Sequence, residues 1–398
     1  MHFILLIAGL ILVFDAIWWI ASARMTRNSR WRWLNLIFIS TQIIGLIWLF
    51  AGRLFPSGWD RAIPKFVVTG VFIWHTLLLP LFVAGVLLTL PFLVIGFSLR
   101  FLRKRQSGEP DRRGSDEAIW HRRQFLAAAV AATPPLLTLS LSSLALHQLN
   151  QFRVRRFVLP FRDLPQDLHG TTITQVSDMH VGRFTSGRVL REMVKVVNDL
   201  QADLILLTGD LINDALGDLD HGLSLVRSME APFGVYLIEG NHDLIENAAE
   251  FEGRVRRSGI PFLLDQSTVI SVHGAPLQLF GLSWTRAFAN RDQAIATSVR
   301  RLLGQREAEA FPILMAHHPH AFDAAAEAAM PLTISGHTHG GQLMWNDQTG
   351  FGPALFRYWS GLYTRGESKL IVSNGVGNWF PLRINAPAEI VHLTLLRI

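Results

Sequence analysis

Between Phe66 and Leu99 the chain runs for 34 residues without an Asp, Glu, Lys or Arg. A hydrocarbon core of ~30 Å needs only ~20 helical residues to cross it, so this stretch restricts its surroundings to lipid or a very large core. Three further apolar runs, Phe3–Ala21, Leu34–Ala51 and Phe125–Leu146, are each long enough to do the same. Trp18, Trp19, Trp31, Trp33 and Trp48 fall near segment ends, where indole rings favour the membrane–water boundary. Charged residues make up 17% of the chain, against ~25% in ordinary soluble domains. We therefore expect an N-terminal α-helical transmembrane region of about four helices.

The basic residues set its orientation. Ser22–Trp33 carries Arg24, Arg27, Arg30 and Arg32, and Arg100–Arg123 carries eight Lys and Arg. Positively charged loops stay on the cytoplasmic side. Both loops share a side only if the long third run crosses once, tilted or kinked near Pro80 or Pro91. Four crossings then leave the N-terminus and everything after Leu146 outside. The reading is a multi-pass protein of the cell (inner) membrane with its soluble part on the extracytoplasmic side. "RRQFLAAAVAA", from Arg122, also resembles a twin-arginine export signal, although His121 and Ala127 depart from the usual residues. An ordinary basic anchor before a membrane helix is the alternative.

Asp15 and His75 lie inside apolar runs, where an ionisable group is costly. No helix carries a second polar face, so we expect these two to pair within the bundle, or Asp15 to sit near an interface, and do not read a transporter. Residues 1–150 hold 15 Lys and Arg against 6 Asp and Glu, a balance of +9, and residues 151–398 hold 22 against 25, a balance of −3. The excess of positive charge belongs to the membrane part, which argues against a nucleic-acid-binding surface. The chain has no Cys, which excludes disulfides, thiolate metal sites and a Cys nucleophile.

From residue 171 the texture changes. The short runs "TTITQVS", "ADLILLT", "GVYLIE", "LQLFGLS", "FPILMA", "LTIS", "KLIVS" and "AEIVHLTLL" read as strands. Helical stretches intervene: Ser186–Leu200 with Val189, Met193, Val196, Val197 and Leu200 on one face, Asp292–Leu303, and Phe322–Ala329. Strand–helix alternation predicts an α/β domain with covered sheets. The expected organisation is a transmembrane helical region with basic cytoplasmic loops over 1–149, a linker or first strand over 150–170, and the α/β domain over 171–398.

Five of these apolar runs end in polar residues of metal-binding type. They deliver Asp178 and His180, then Asp210, then Asn241 to Asp243, then His317 of "HHPH", then His337 and His339 of "GHTH". Sites in open α/β sheets form beyond the carboxyl ends of strands, so neighbouring strands would bring all five clusters to one rim. Carboxylate, imidazole and amide oxygen donors suit manganese, iron(II) or zinc. Glycines precede Asp210, Asn241 and His337 and would permit close approach of the backbone.

The ordered set D-x-H, GD, GNHD, HHPH and GHTHGGQ resembles the calcineurin-like metallophosphoesterase family, over about residues 171–398. The tail "VSNGVGNWFPLRINAPAEIVHLTL" resembles its membrane-anchored bacterial branch. The resemblance implies two packed mixed β-sheets flanked by helices, and two divalent metal ions, manganese first, with zinc or iron as alternatives. It implies one ion on Asp178, His180, Asp210 and His339, the other on Asp210, Asn241, His317 and His337, with Asp210 bridging. His318 and His320 are left in supporting or surface roles. The implied reaction is hydrolysis of a phosphodiester, phosphomonoester or pyrophosphate by metal-activated hydroxide, with His242 protonating the leaving oxygen or else orienting a neighbour. Many family members hold this His with an acidic residue three positions after the bridging Asp. Here Asn213 stands there, followed by Asp214.

Trp345–Arg365 is rich in Gly and aromatics and carries Arg357 and Arg365. It reads either as a site for an apolar group beside a phosphate, hence a phosphate-ester substrate that is lipid or lipid-linked, or as a cap on the sheet. The alternative to an enzyme is a catalytically silent membrane receptor or scaffold that retains the phosphoesterase fold. The retained ligand set weighs against it, because buried carboxylates and imidazoles without a cation are costly.

Overall fold

A computed structural model describes residues 2–54, 63–106, 116–149, 151–285, 290–346 and 349–398. Its contacts divide the chain into Met1–Leu146 and His147–Ile398. Part of the basic stretch Arg100–Arg123, residues 107–115, lies outside the described residues.

The first unit is helical. α1 (His2–Thr26) and α2 (Arg32–Leu54) are followed by a continuous helical path through α3 (Lys65–Phe72), a π-helical segment (Ile73–Leu78) and α4 (Leu79–Gln106), and then by α5 (Asp116–Leu149). The long apolar run thus forms one uninterrupted path with no reversal. Its irregularity falls just before Pro80, which has no N–H to donate and whose ring clashes with the carbonyl a turn earlier. Pro91 is accommodated inside α4. Among the described residues, four stretches are long and apolar enough to cross a membrane: Leu6–Thr26, Arg32–Gly52, Lys65–Thr89 and Trp120–Leu149.

Asp15 and His75 are buried against each other, His75 Nε2 lying 3.2 Å from Asp15 Oδ2. Trp74 Nε1 donates to Asp15 Oδ1 at 3.2 Å, and His75 Nδ1 reaches the Val71 carbonyl at 2.8 Å. Every polar atom of the pair has a partner, so the two groups are affordable in an apolar interior.

The second unit is built on two sheets. β1 (Phe152–Phe161), β2 (Thr172–Val176), β3 (Leu204–Thr208) and β4 (Val235–Ile238) join the C-terminal strand Ala388–Arg397 in a five-stranded sheet. β5 (Gln266–Val272), β6 (Ala275–Leu282), β7 (Phe311–Ala316) and β8 (Leu332–Ser335) join two later strands in a six-stranded sheet. After β8 in sequence come a small hairpin, β9 (Met344–Asn346) with β10 (Thr349–Gly350), then β11 (Gly361–Arg365), β12 (Ser368–Val372) and the terminal β13 (Ala388–Arg397). The orders are β1-β13-β2-β3-β4 and β11-β12-β8-β7-β6-β5. The segment expected as linker or first strand contributes β1, which pairs parallel with β13 from Phe152↔Ala388 onward.

Residue parity explains why the strands are continuously apolar. In β3, Leu204 and Leu206 pack between the sheets with Ile173, Leu277, Ile313 and Ile334. The alternate residues Ile205 and Leu207 pack outward against helices. Both faces are covered, so no polar alternation survives. α6 (Arg188–Asp199), α7 (Leu219–Arg227) and α8 (Ala248–Arg257) cover the first sheet, and α9 (Arg291–Leu303) and α10 (Ala321–Glu327) cover the second. The buried stripe of α6 is Leu190, Met193, Val194 and Val197, rotated from the expected face, with Val196 and Leu200 only partly buried at its edge. Spacing at i, i+3, i+4 and i+7 centres the stripe on the sheet. β5 and helices α7 and α8 carry weaker patterns and were not anticipated.

Candidate metal centre

β2, β3, β4, β7 and β8 run parallel to a neighbour in their own sheet, and each ends where a polar cluster begins. The turns after β2 and β3 are stitched together: Asp178 N–H donates to the Gly209 carbonyl and His180 N–H to the Asp210 carbonyl, both at 3.0 Å. The turn after β4 joins them, with His242 N–H donating to Asp210 Oδ1 at 2.8 Å. The turn after β8 closes on the first, with His337 N–H 3.1 Å from each Asp178 oxygen. Asp243 is buried and accepts from Ile212 N–H at 3.0 Å and Gly240 N–H at 2.9 Å, tying two turns together.

The backbone is strained where the side chains converge. Asp178, His180, Asp210, His337 and His339 all have positive φ, between 44° and 74°. Such conformations cost about 1–3 kcal/mol each and persist where the surroundings over-determine them. Space is equally tight. A Cβ on Gly240 would lie 2.2 Å from Asp210 Oδ1, and one on Gly336 would lie 2.2 Å from Asp178 Oδ2. No side chain fits at either position.

The result is two adjoining groups of donors. His339 Nε2 lies 3.2 Å from Asp178 Oδ1 and 3.0 Å from His180 Nε2. His180 Nε2 lies 3.8 Å from Asp178 Oδ1 and 3.5 Å from Asp210 Oδ2. His317 Nε2 approaches the same Asp210 Oδ2 at 3.2 Å. Asp178, His180 and His339 could hold one cation, and Asp210, His317 and His337 another, with donor atoms within 4.8 Å in each group. A third combination, His180, Asp210 and His242, meets the same limit. Asn241 Oδ1 is a buried acceptor with no hydrogen-bond donor, and such an atom costs about 1–3 kcal/mol unless something else satisfies it. That orphan oxygen, in the turn whose His242 N–H meets Asp210 Oδ1, suits a divalent cation.

The protonation states agree. Burial pushes the Asp210 carboxyl up, but His317, His242 and His180 outweigh it and hold it well below the usual carboxylate range. Asp178 is likewise held low, chiefly by His339 against burial. Burial, reinforced by its neighbours' charge, lowers His180, and it brings His337 down to about 3. These are neutral imidazoles beside ionised carboxylates, the forms that ligate metals. His317 is the exception: burial lowers it, but Asp210 raises it to about 9, so cation binding there must displace a proton. His317 Nδ1 donates to the Thr208 carbonyl at 2.7 Å, which turns Nε2 inward.

His242 is supported by a main-chain atom at position 213. Its Nδ1 donates 2.6 Å to the main-chain carbonyl of Asn213, not to the side chain of Asn213 or Asp214. This fixes the tautomer with Nε2 free. The rings of His180 and Trp379 lie 4.6 and 5.7 Å from it.

Several neighbours carried no sequence signal for a role. Trp284 follows β6 and packs its ring 5.5 Å from His317, 5.5 Å from His318 and 5.1 Å from His337. Arg383 is 1% exposed. It donates to the carbonyls of Asn374, Gly377 and Ala386 and to Asn378 Oδ1, and its NH2 lies 3.0 Å from His339 Nδ1. It thereby fixes the loop after β12 against the Asp178 turn, where Gly377 N–H meets the Asp178 carbonyl at 2.8 Å. The "NWFPLRINAP" tail contains Arg383, but one buried guanidinium cannot be told from a surface one by sequence. His318 is buried beside His337, whereas His320 meets Asp292 at 3.3 Å.

The Trp345–Arg365 segment divides. Trp359 is buried and caps the fold beside Met344 and Ala386. Arg357 and Arg365 both pair with Asp323. Arg153 and Arg155 pair with Glu389. Phe356 lies 5.8 Å from the His337 ring, and Trp345 and Leu355 are exposed.

Residues 171–341 match the family described as calcineurin-like phosphoesterase. Among curated relatives, an uncharacterized metallophosphoesterase of Helicobacter pylori is 28% identical over 56% of this chain and 59% of its own length. A transmembrane protein with metallophosphoesterase domain of Danio rerio is 28% identical over 60% of this chain and 56% of its own. The uncharacterized metallophosphoesterase YkuE of Bacillus subtilis is 28% identical over 58% of this chain and 81% of its own. The chain thus spans rather more than half the length of the first two.

Proposed function

We propose, on the premise that the chain carries a calcineurin-like metallophosphoesterase domain, that it is a membrane-anchored phosphoesterase dependent on two divalent cations. Asp178, His180, Asp210 and His339 hold one cation, and Asp210, Asn241, His317 and His337 the other. The observation that carries this reading is Asp210 Oδ2, 3.5 Å from His180 Nε2 and 3.2 Å from His317 Nε2, one oxygen common to both groups. Cations held there, manganese, zinc or iron, supply Lewis-acid activation of water and neutralise charge on a phosphate ester. The donor set, two carboxylates and an amide oxygen beside four imidazoles, suits manganese, iron(II) or zinc.

The chain's own residues do the rest. The Asn213 carbonyl holds His242 Nδ1–H, so the doubly protonated ring would pass its Nε2 proton to the leaving oxygen. Asp243 and the main-chain bonds among the turns keep the donors in place before substrate arrives, so little reorganisation is needed. Arg383 positions the His339 side of the site through the loop it clamps. Phe356 and Trp284, against His337, offer apolar surface beside the reacting group, which supports a lipid or lipid-linked ester as substrate. The four apolar spans, and the likeness to a protein named as transmembrane, support a multi-pass membrane anchor, and the basic loops Ser22–Trp33 and Arg100–Arg123 favour the extracytoplasmic side of the inner membrane for the domain.

The test is hydrolysis of a chromogenic phosphodiester by the full chain in detergent, with and without manganese. Asp210→Asn is expected to lower kcat/KM by about 100-fold or more, equivalent to about 2.7 kcal/mol. Equal rates for wild type and variant would remove the enzyme reading and favour the silent scaffold. A marked preference for lipid phosphoesters over short soluble diesters supports the substrate class, and its absence ends it.

A further inference from the structure

The GHTHGGQ run supplies two of the cation donors and then continues to Gln342, and the later NWFP stretch contributes Trp379. Neither residue belongs to the groups that hold the cations, yet the two meet. Gln342 is buried, with left-handed backbone at φ 62°. In the amide orientation that gives both its polar atoms a partner, its nitrogen donates to the Leu382 carbonyl at 2.7 Å and its oxygen accepts from Trp379 Nε1 at 2.8 Å. Phe380 packs edge-on against the Trp379 indole, with centroids 4.1 Å and planes 67° apart. The main chain around the indole is held as well. Asn378 N–H donates to Thr185 Oγ1 at 2.7 Å, and Leu382 N–H to the Phe380 carbonyl at 2.9 Å. Trp379 is therefore fixed before any substrate arrives, and a ligand that meets it loses little in ordering it.

What the fixed ring meets follows from its neighbour. Its centroid lies 5.7 Å from that of His242, with the planes 51° apart. Both residues are only half-buried, so the two rings meet at the surface of the domain and not inside a core. The indole N–H is already taken by Gln342, which leaves the flat apolar face as what Trp379 offers a ligand. His242 Nε2 serves the leaving oxygen, so the atoms just beyond that oxygen come against the indole. The other aromatic side chains of the site, Trp284 and Phe356, stand at His337, among the second group of donors. Aromatic surface is thus present at two separate places, one of them at the proton donor.

We propose that Trp379 determines specificity for the leaving group, selecting esters whose departing alcohol or phenol carries a flat ring next to its oxygen, and that Gln342 is the residue that positions the indole. This rests on the phosphoesterase reading above and deepens it, by giving the leaving group a chemistry separate from that of the apolar group beside Trp284 and Phe356.

Two methyl phosphodiesters separate shape from leaving-group acidity. One releases para-chlorophenol, which is flat, and the other hexafluoroisopropanol, which is of similar acidity and has no ring. Steady-state rates on both are measured for the full chain in detergent with manganese. W379A is expected to lower the aryl-to-alkyl ratio of kcat/KM by about 3–10-fold, the size of one aromatic contact. W379L, which keeps apolar bulk without the ring, is expected to lower it similarly, and W379F to keep most of it. Q342L frees the indole and is expected to lower the ratio part of the way. A loss of active protein lowers both rates together and leaves their ratio unchanged, so the ratio reads recognition and not folding. A wild-type ratio retained in W379A and W379L overturns the assignment and leaves the phosphoesterase reading standing. Release of neither alcohol by the wild-type chain removes that reading, and the specificity with it.

Discussion

His242 shows how much chemistry can hang on one main-chain atom. Because its Nδ1–H is held by the carbonyl of residue 213, the side chain there is not its support. Asn213→Ala is expected to keep hydrolysis within about threefold of wild type. His242→Ala should lose about 100-fold or more on an alkyl phosphate ester, whose leaving oxygen needs a proton, and much less on a p-nitrophenyl ester, whose leaving group does not. Steady-state rates on the two esters decide it, and an equal loss on both would assign His242 to orienting its neighbours. At this scale the sequence was informative for the donors, because Asp, His and Asn at strand ends after Gly are readable types at readable places. It could not reveal Arg383 or Trp284, whose roles come from burial against residues far along the chain.

Among the elements, the path Lys65–Gln106 carries the least ordinary feature, a π-helical segment that puts Trp74 and His75 against Asp15. Removing one member of a buried, fully partnered pair strands the other, at a cost of about 3–5 kcal/mol. Asp15→Leu is expected to lower the unfolding midpoint of the full chain in detergent by a corresponding amount. The double change Asp15→Leu, His75→Leu should recover most of the loss, since it leaves no orphaned charge. A double variant whose loss equals the sum of the two single losses would show that the two act independently. Apolar length and loop charge made the helices legible, and the proline marked the irregular turn. The partner of Asp15 depended on helix packing, which no local pattern records. The rotated face of α6 has the same origin: Val189 and Leu190 differ little in sequence, and only the sheet beneath decides which is buried.

Across the whole molecule, the sheets themselves were foreseeable and their pairing was not. β13 inserts between β1 and β2, joining residues more than two hundred positions apart, and that register is set by the packed core rather than by turn chemistry. What the parallel strands accomplish is clear once assembled. They bring five turns to one rim, in strained backbone that no single turn would adopt alone, and leave Asp210 Oδ2 common to two groups of donors. Titration of the full chain with manganese(II), followed by electron paramagnetic resonance, addresses that arrangement directly. Two ions per chain giving an exchange-coupled spectrum are predicted, because a shared carboxylate brings the pair within magnetic contact. A single ion, or two giving the spectrum of isolated manganese, would contradict it.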